Sequence, residues 1–228
     1  MTSKNTRTVI KSFLFNPAVK FQYPMTSILN AERSLIAFID MEKLGEEQFS
    51  DFGIAKTDTL LSVIDAITES TVTIENDKDP ENITIKNSKT TQKIRKSSPD
   101  LFQEAKAETI SMIRGSFDTV IEIDLMKEDL KDLVQISRML SLDTLVLKDN
   151  KMVSGRASGN DMEDENITEI EGKFDSDNGS FKLDLTNLAK LPQMDYKLTV
   201  YHRADDNIKV AFLEPDTTGV LVVVSEKL

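Results

Sequence analysis

The sequence predicts an α+β protein of two similar domains, each a curved antiparallel sheet covered on one side by two helices. Three observations lead to this prediction. Segments with the pattern of strands are more numerous than helical ones along the whole chain. A long amphipathic helical pattern lies near the start of each half, from Lys4 to Phe15 and from Lys127 to Leu140. The order of elements in the first half recurs in the second, which indicates an internal duplication.

The helical pattern from Lys127 to Leu140 has one apolar and one basic face. Its apolar residues recur at spacings of three and four and share a face: Leu130, Leu133, Ile136 and Leu140. Its basic residues fall within a narrow arc of a different face: Lys127, Lys131 and Arg138. Asp132, Val134 and Gln135 dilute this basic face. Because the chain has a net charge of −11, a helix with a basic face needs an explanation.

The N-terminal pattern from Lys4 to Phe15 repeats this design and contains no acidic residue. Three basic residues share one helical face: Lys4, Arg7 and Lys11. Four apolar residues cluster on the other face: Val9, Ile10, Phe13 and Leu14. The apolar faces of both helices must lie on a sheet, so both basic faces are predicted to point away from it.

The rest of the first half is predicted to be strands around one further helix, from Asp58 to Ile67, with Asp58 as its N-cap. Asn76 to Asn82 is predicted to be a hairpin loop. The predicted strands are Val19 to Tyr23, Ser27 to Asn30, Ser34 to Asp40, Phe52 to Lys56, Thr71 to Glu75, Ile83 to Lys86 and Thr90 to Lys96.

Residues 97 to 116 have mixed periodicity and are predicted to be a connector, so the domains are placed at 1–108 and 109–228. The second half contains a short predicted helix from Thr186 to Leu191. Its predicted strands are Thr119 to Asp124, Thr144 to Lys148, Lys151 to Gly155, Asn166 to Phe174, Ser180 to Asp184, Tyr196 to His202, Ile208 to Leu213 and Val220 to Val224. The strand, helix and strand that begin at Phe52 correspond to those that begin at Phe181.

The composition limits the possible functions. Cysteine is absent, which excludes disulfides, thiolate metal sites and thiol nucleophiles and fits a reducing compartment. No stretch approaches the roughly 18 apolar residues that a membrane span needs, and the first residues do not resemble a signal peptide. No phosphate-binding loop is present, and no set of acid, base and nucleophile is recognisable. The chain is therefore expected to be neither an enzyme nor dependent on a metal or cofactor.

Three short features have ordinary structural interpretations. His202 lies in a predicted strand and is expected to have a structural or solvent-facing role, because zinc sites and catalytic triads need several partners. Asp175 to Gly179 is predicted to be a turn, since its glycine comes too early for a calcium loop and Thr186 occupies the position of the bidentate Glu. Asp161 to Glu165 is predicted to be a solvated loop, with contact to a basic partner as the alternative.

Three regions resemble the sliding clamps of T4-like bacteriophages. The resemblance is strongest from Ile123 to Met152, including the helix and the strand after it. Ser3 to Phe13 is similar to the opening helix of that family, and Val210 to Glu214 is similar to a segment near its end. The chain departs from the family pattern at Gln135, where a basic residue is expected, and most of all in the connector.

The resemblance implies the DNA-clamp fold and a head-to-tail ring of three subunits. Such a ring encircles duplex DNA, tethers the DNA polymerase and is placed by a clamp loader, in the cytoplasm of the host cell. The basic residues named above would line the hole and contact phosphates without reading bases: Lys4, Arg7, Lys11, Lys127, Lys131 and Arg138. The alternative function is a β-rich structural ring or tube of a virus.

The resemblance also implies a groove between the domains that accepts a short apolar and aromatic peptide of a partner. The connector is unusually apolar at Ile110, Met112 and Ile113. Groove neighbours are expected at Ile208, Phe212 and Val223. The alternative is that these residues only cover the junction between the domains.

Overall fold

A computed structural model describes residues 4–67, 73–75, 81–158 and 161–227. The chain divides into two compact units. The first unit consists of Met1–Ala107 and Thr218–Val220. The second consists of Glu108–Thr217 and Leu221–Leu228.

The first unit contains two α-helices, α1 (Lys4–Ser12) and α2 (Thr57–Ala66), and a 3₁₀ turn (Pro99–Leu101) in its described part. Its strands are β1 (Val19–Phe21), β2 (Met25–Leu29), β3 (Leu35–Asp40), β4 (Phe52–Ile54), β5 (Thr73–Glu75), β6 (Asn82–Lys86) and β7 (Thr91–Arg95). Their pairings within the unit are antiparallel: β1 with β4, β2 with β3, and β5-β6-β7 in that order.

The helices of the second unit are α3 (Glu108–Ser116), α4 (Lys127–Leu140) and α5 (Leu185–Leu188) in the part described. Its strands are β8 (Asp118–Leu125), β9 (Thr144–Lys148), β10 (Lys151–Ser158), β11 (Asp161–Glu169), β12 (Gly172–Phe174), β13 (Ser180–Asp184), β14 (Tyr196–Arg203), β15 (Ile208–Pro215) and β16 (Val220–Ser225). They form two antiparallel sheets with the orders β11-β10-β9-β13 and β12-β8-β14-β15-β16.

The two units share one order of connections, which agrees with the predicted duplication. The strand after the first long helix pairs antiparallel with the strand before the second helix, as β1–β4 in one unit and β9–β13 in the other. The strand after that second helix starts an antiparallel run of three, β5-β6-β7 and β14-β15-β16. The resemblance between the halves therefore lies in topology, although few residues correspond.

Each long helix packs through the apolar face that the sequence predicts. In α1, Thr6, Val9 and Ile10 are buried, and Phe13 follows them into the core of the first unit. In α2, Leu60, Leu61 and Ile64 are fully buried. Aromatic residues of the strands are buried as well, with the rings of Phe21 and Phe52 stacked at a centroid distance of 5.0 Å. Burial of these faces fixes the orientation of the basic faces.

Helix α4 has the predicted ends, but two of its residues differ from prediction. Leu130 and Leu133 are buried as expected, whereas Leu140 is 45% exposed. Val134, predicted to dilute the basic face, is buried in the core. The helix ends at Ser141, which adopts a left-handed conformation with φ 56°. The apolar residues Met139 and Leu140 of the last turn remain in contact with solvent.

Other differences concern short elements. The predicted connector contains helix α3, whose Ile113 is buried and which contacts β14. The segment is short and contains Gly, Ser and Thr, so packing, not propensity, decides its conformation. Asp58 lies in the first turn of α2, and the N-cap is Lys56. Asp161 to Glu165 belongs to strand β11 and not to the predicted loop. This strand lies at the edge of its sheet, where charged residues are tolerated.

The strands predicted at Thr144 to Lys148 and at Ser180 to Asp184 have the predicted ends. The other predicted strands are present with shifted ends, and Asn166 to Phe174 is divided between β11 and β12. Most of the predicted loop from Asn76 to Asn82 lies outside the described residues, as do Thr71 and Val72.

Candidate nucleic-acid interface

Helix α4 is held firmly at both ends. At its start, the backbone N–H of Lys127 donates a hydrogen bond of 2.7 Å to Oδ1 of Asp195. At its end, Nη2 of Arg156 donates to the carbonyl of Leu140 at 2.6 Å. These contacts satisfy backbone groups that have no partner within the helix, and both suit the helix dipole. These contacts help to fix where the helix begins and ends.

The α4 stripe, which we define as Lys127, Lys131 and Arg138, lies on that outer face. All three residues are exposed. Within the described parts of the chain, no acidic side chain lies within ion-pair distance of any of them. Their charges are consequently available to an anionic partner.

The α1 stripe, defined as Lys4, Arg7 and Lys11, has a different environment. Lys4 is exposed. The side chain of Arg7 is only 17% exposed, and its Nε lies 3.5 Å from Oδ1 of Asp65. The ammonium group of Lys11 pairs with Oδ2 of the same carboxylate. Two of the three cations therefore have an internal counter-ion.

Asp65, which the sequence analysis did not identify, lies in the last turn of α2, and α1 packs against that helix. A carboxylate at this end of a helix meets the negative end of the helix dipole and is unfavourable there. One sequence feature could have identified Asp65. It is an acidic residue in the last turn of one predicted helix, in a half whose other helix carries only basic charges.

The six basic residues can do one kind of chemistry. Lysine and arginine side chains on exposed helical faces bind phosphate oxygens through charge and hydrogen bonds. Neither stripe contains an aromatic or amide side chain that could read a base edge. The arrangement suits contact with a nucleic-acid backbone that is independent of sequence.

A second candidate surface lies on α3 and the neighbouring strands of the second unit. Arg114 of α3 forms an ion pair with Glu214 and lies over the ring of Phe212, with Cζ 5.6 Å from the centroid. The ring of Phe212 also packs against Tyr201 at a centroid distance of 4.9 Å. Phe212 on β15 is the direct cross-strand neighbour of Val223 on β16. This surface brings together α3, Phe212 and Val223.

The predicted groove residues fall into two classes of exposure. Ile113, Phe212 and Val223 are buried. Met112 and Ile208 are 49% and 42% exposed, and Ile110 is half-buried. Ile208 is paired with Arg203 at the other end of β15 from Phe212. A partner could therefore contact Met112 or Ile208 directly, whereas the buried residues support the surface from below.

The remaining candidate sites are structural. His202 is 5% exposed, and its Nε2 lies 2.9 Å from Oδ1 of Asn207. Asp175 forms the predicted turn: its Oδ1 accepts hydrogen bonds from the N–H groups of Asn178 and Asp177, and these bonds lower the pKa of its carboxyl group. The described residues contain no cluster of three or more potential metal ligands. None of their helices is both long and apolar enough to span a membrane.

The fold is that of the DNA sliding clamps. A proliferating cellular nuclear antigen (PCNA) from Entamoeba histolytica matches with a TM-score of 0.66 at 10% identity, covering 100% of this chain and 96% of that one. The A. fulgidus PCNA bound to the C-terminal region of FEN-1 matches with a TM-score of 0.59 at 10% identity, covering 99% and 94%. The DNA polymerase III beta subunit of Thermotoga maritima matches with a TM-score of 0.61 at 12% identity and 96% coverage of this chain.

This chain spans only 59% of the length of that bacterial beta subunit. No protein-family model and no curated protein sequence matches it. At such low identity, the similarity establishes an α+β clamp fold with antiparallel sheets, as the sequence predicts.

Proposed function

We propose that this protein is a sliding clamp, a non-enzymatic processivity factor that encircles duplex DNA and tethers a DNA polymerase to it. One observation carries the proposal. On a clamp fold with a net charge of −11, helix α4 presents three exposed cations that have no counter-ion within the described chain. Such a surface attracts polyanions locally, although the protein as a whole repels them.

The clamp acts through topology. A closed ring cannot leave a long duplex sideways, so its contacts with DNA need to be only strong enough to centre the duplex. The six proposed DNA-binding residues contact phosphates loosely and without base specificity: Lys4, Arg7, Lys11, Lys127, Lys131 and Arg138. Base-specific bonds would hold the ring at one position, and the proposed contacts avoid them.

The ring is proposed to be a head-to-tail homotrimer of clamp domains 1–108 and 109–228. Two strands support this assembly. Strand β7 lies at the edge of its sheet and includes Lys93 and Arg95. Strand β11 lies at the edge of its sheet and has an acidic sequence, with Asp161 and Glu169 at its ends. Edges of opposite charge on the two units suit a repeated interface between unlike surfaces of neighbouring copies.

Partner proteins are proposed to bind through short apolar and aromatic peptides. The proposed groove comprises Ile110, Met112, Ile113, Ile208, Phe212 and Val223. The exposed side chains of Met112 and Ile208 support it, as does the FEN-1 segment bound to the similar A. fulgidus PCNA. The polymerase and a clamp loader are the proposed partners. The resemblance of Ile123 to Met152 supports an origin in a T4-like bacteriophage and activity in the host cytoplasm.

The deciding experiment reverses two charges of the α4 stripe, Lys131→Glu together with Arg138→Glu. We expect a strong loss of polymerase processivity, because two cations are replaced by anions at the DNA-facing surface. Light scattering should still show a trimer. The matched control is Lys148→Glu together with Lys173→Glu, which makes the same charge change at exposed strand lysines with side chains 60% and 84% exposed.

Equal processivity of the α4 variant and the control would contradict the clamp proposal. Open polymers of the unmodified protein, seen by sedimentation, would instead favour a viral structural ring or tube.

A further inference from the structure

The carboxylate of Asp65 is placed where it competes with DNA. It lies next to two cations of the α1 stripe, Lys11 and Arg7, which contact its two different oxygens. Its side chain is 45% exposed, and that of Lys11 is 43% exposed, so the Lys11–Asp65 pair remains in contact with solvent. Pairs of exposed charges are weak and are screened by salt. A phosphate can therefore reach Lys11 and displace this carboxylate from it, whereas the Nε of Arg7 beside the other oxygen is buried.

The stability of α2 does not explain an acidic residue at this place. The carboxylate lies in the last turn, where the helix dipole disfavours a negative charge. The favourable interactions of Asp65 come from α1, in which every charged residue between Lys4 and Ser12 is basic. The charge of the α1 stripe is thereby reduced, while that of the α4 stripe is not.

We propose that Asp65 is an internal counter-ion that competes with DNA phosphates for Lys11, so that the first unit binds DNA more loosely than the second. The inference rests on the proposed DNA contact and specifies how it is regulated. At low salt, phosphates replace Asp65 only when the duplex approaches α1. The ring can then tilt or slide with only part of its positive charge engaged.

The test is Asp65→Asn in the full chain, with binding to a fluorescently labelled duplex measured by anisotropy across a series of salt concentrations. We expect binding at low salt to tighten about two- to five-fold, the range that corresponds to loss of a competing surface ion pair. The dependence of log affinity on log salt should steepen by about 0.9 for each additional phosphate that the protein neutralises.

Three further variants make the result specific. Asp51→Asn is the matched control, because Asp51 has a side chain 44% exposed, lies 3.9 Å from Lys20 and belongs to the same unit. It should leave DNA affinity unchanged. Asp65→Glu keeps the charge and should bind DNA as the unmodified protein does. In a Lys11→Gln background, the tightening caused by Asp65→Asn should shrink, as expected when two residues share one interaction.

Unchanged or weaker binding by Asp65→Asn, with circular dichroism showing an intact fold, would overturn the inference. The same would follow if Asp51→Asn tightened binding equally, because net charge would then be the cause. The α4 double reversal is run in parallel. If it loses affinity while Asp65→Asn has no effect, the clamp proposal stands and only the role of Asp65 is wrong. If neither variant changes binding, the DNA contact itself is wrong.

Discussion

Helices α1 and α4 have the same design but different electrostatic surroundings. Both bury an apolar face and carry three basic residues on another face. In α4 the cations have no counter-ion within the described chain, whereas in α1 two of them contact Asp65. The difference comes from the helix that follows each of these two helices, since α2 spans Thr57–Ala66 with an acid in its last turn, while α5 spans only Leu185–Leu188. A duplicated fold can thus carry two surfaces with different charge.

The largest expected effect concerns the buried apolar side chains that hold α1 and α4 in place. Leu130 of α4 and Ile10 of α1 are both fully buried. Replacing either by Ala should lower the free energy of unfolding by about 2–5 kcal/mol, through lost burial and the cavity left behind. Leu140→Ala is the control and should cost only about 0.5 kcal/mol, because that residue is 45% exposed. Chemical denaturation would measure all three. A small loss for Leu130→Ala would show that α4 is not fixed through its apolar face.

The next largest effect concerns the hydrogen bond at the start of α4. Asp195→Ala removes the acceptor for the first N–H group of α4 and should cost about 1 kcal/mol of stability, as for loss of an N-cap. Asp195→Asn keeps an acceptor oxygen and should cost less. Thermal unfolding of the three proteins provides the comparison. Equal losses for the two variants would indicate that the charge of Asp195, and not its hydrogen bond, supports α4.

A smaller effect compares single cations of the two stripes. Lys131→Gln should weaken binding to duplex DNA more than Lys11→Gln does, because Lys11 has to exchange one anion for another and Lys131 does not. Affinities measured at one low salt concentration are sufficient. Equal losses would remove the electrostatic distinction between the helices.

The smallest effect is the contribution of the Lys11–Asp65 pair to folding. A double-mutant cycle with Lys11→Gln and Asp65→Asn should give a coupling energy of about 0.2–1 kcal/mol that decreases as salt is added. Denaturant midpoints of the four proteins would measure it. A coupling that does not respond to salt would mean that the pair is shielded from solvent.

The sequence alone determined the features that depend on periodicity. Apolar residues that recur every three or four positions predicted both long helices, including the two ends of α4. Alternation of apolar and polar residues predicted most strands. Because an amphipathic helix can bury only its apolar face, the sequence also determined that Lys131 and Arg138 would be exposed. The repeated order of elements determined the two-unit organisation.

Only the tertiary structure decided the features that depend on distant neighbours. Helix α3 forms where propensity is weak, because Ile113 is buried against the second unit. Val134 is a core residue and Leu140 an exposed one, which depends on what packs against each part of α4. Asp65 contacts Lys11 across 54 positions of sequence, a contact that no local pattern encodes. Periodicity reports which face of an element is buried, but charge pairing between elements depends on how those faces meet in space.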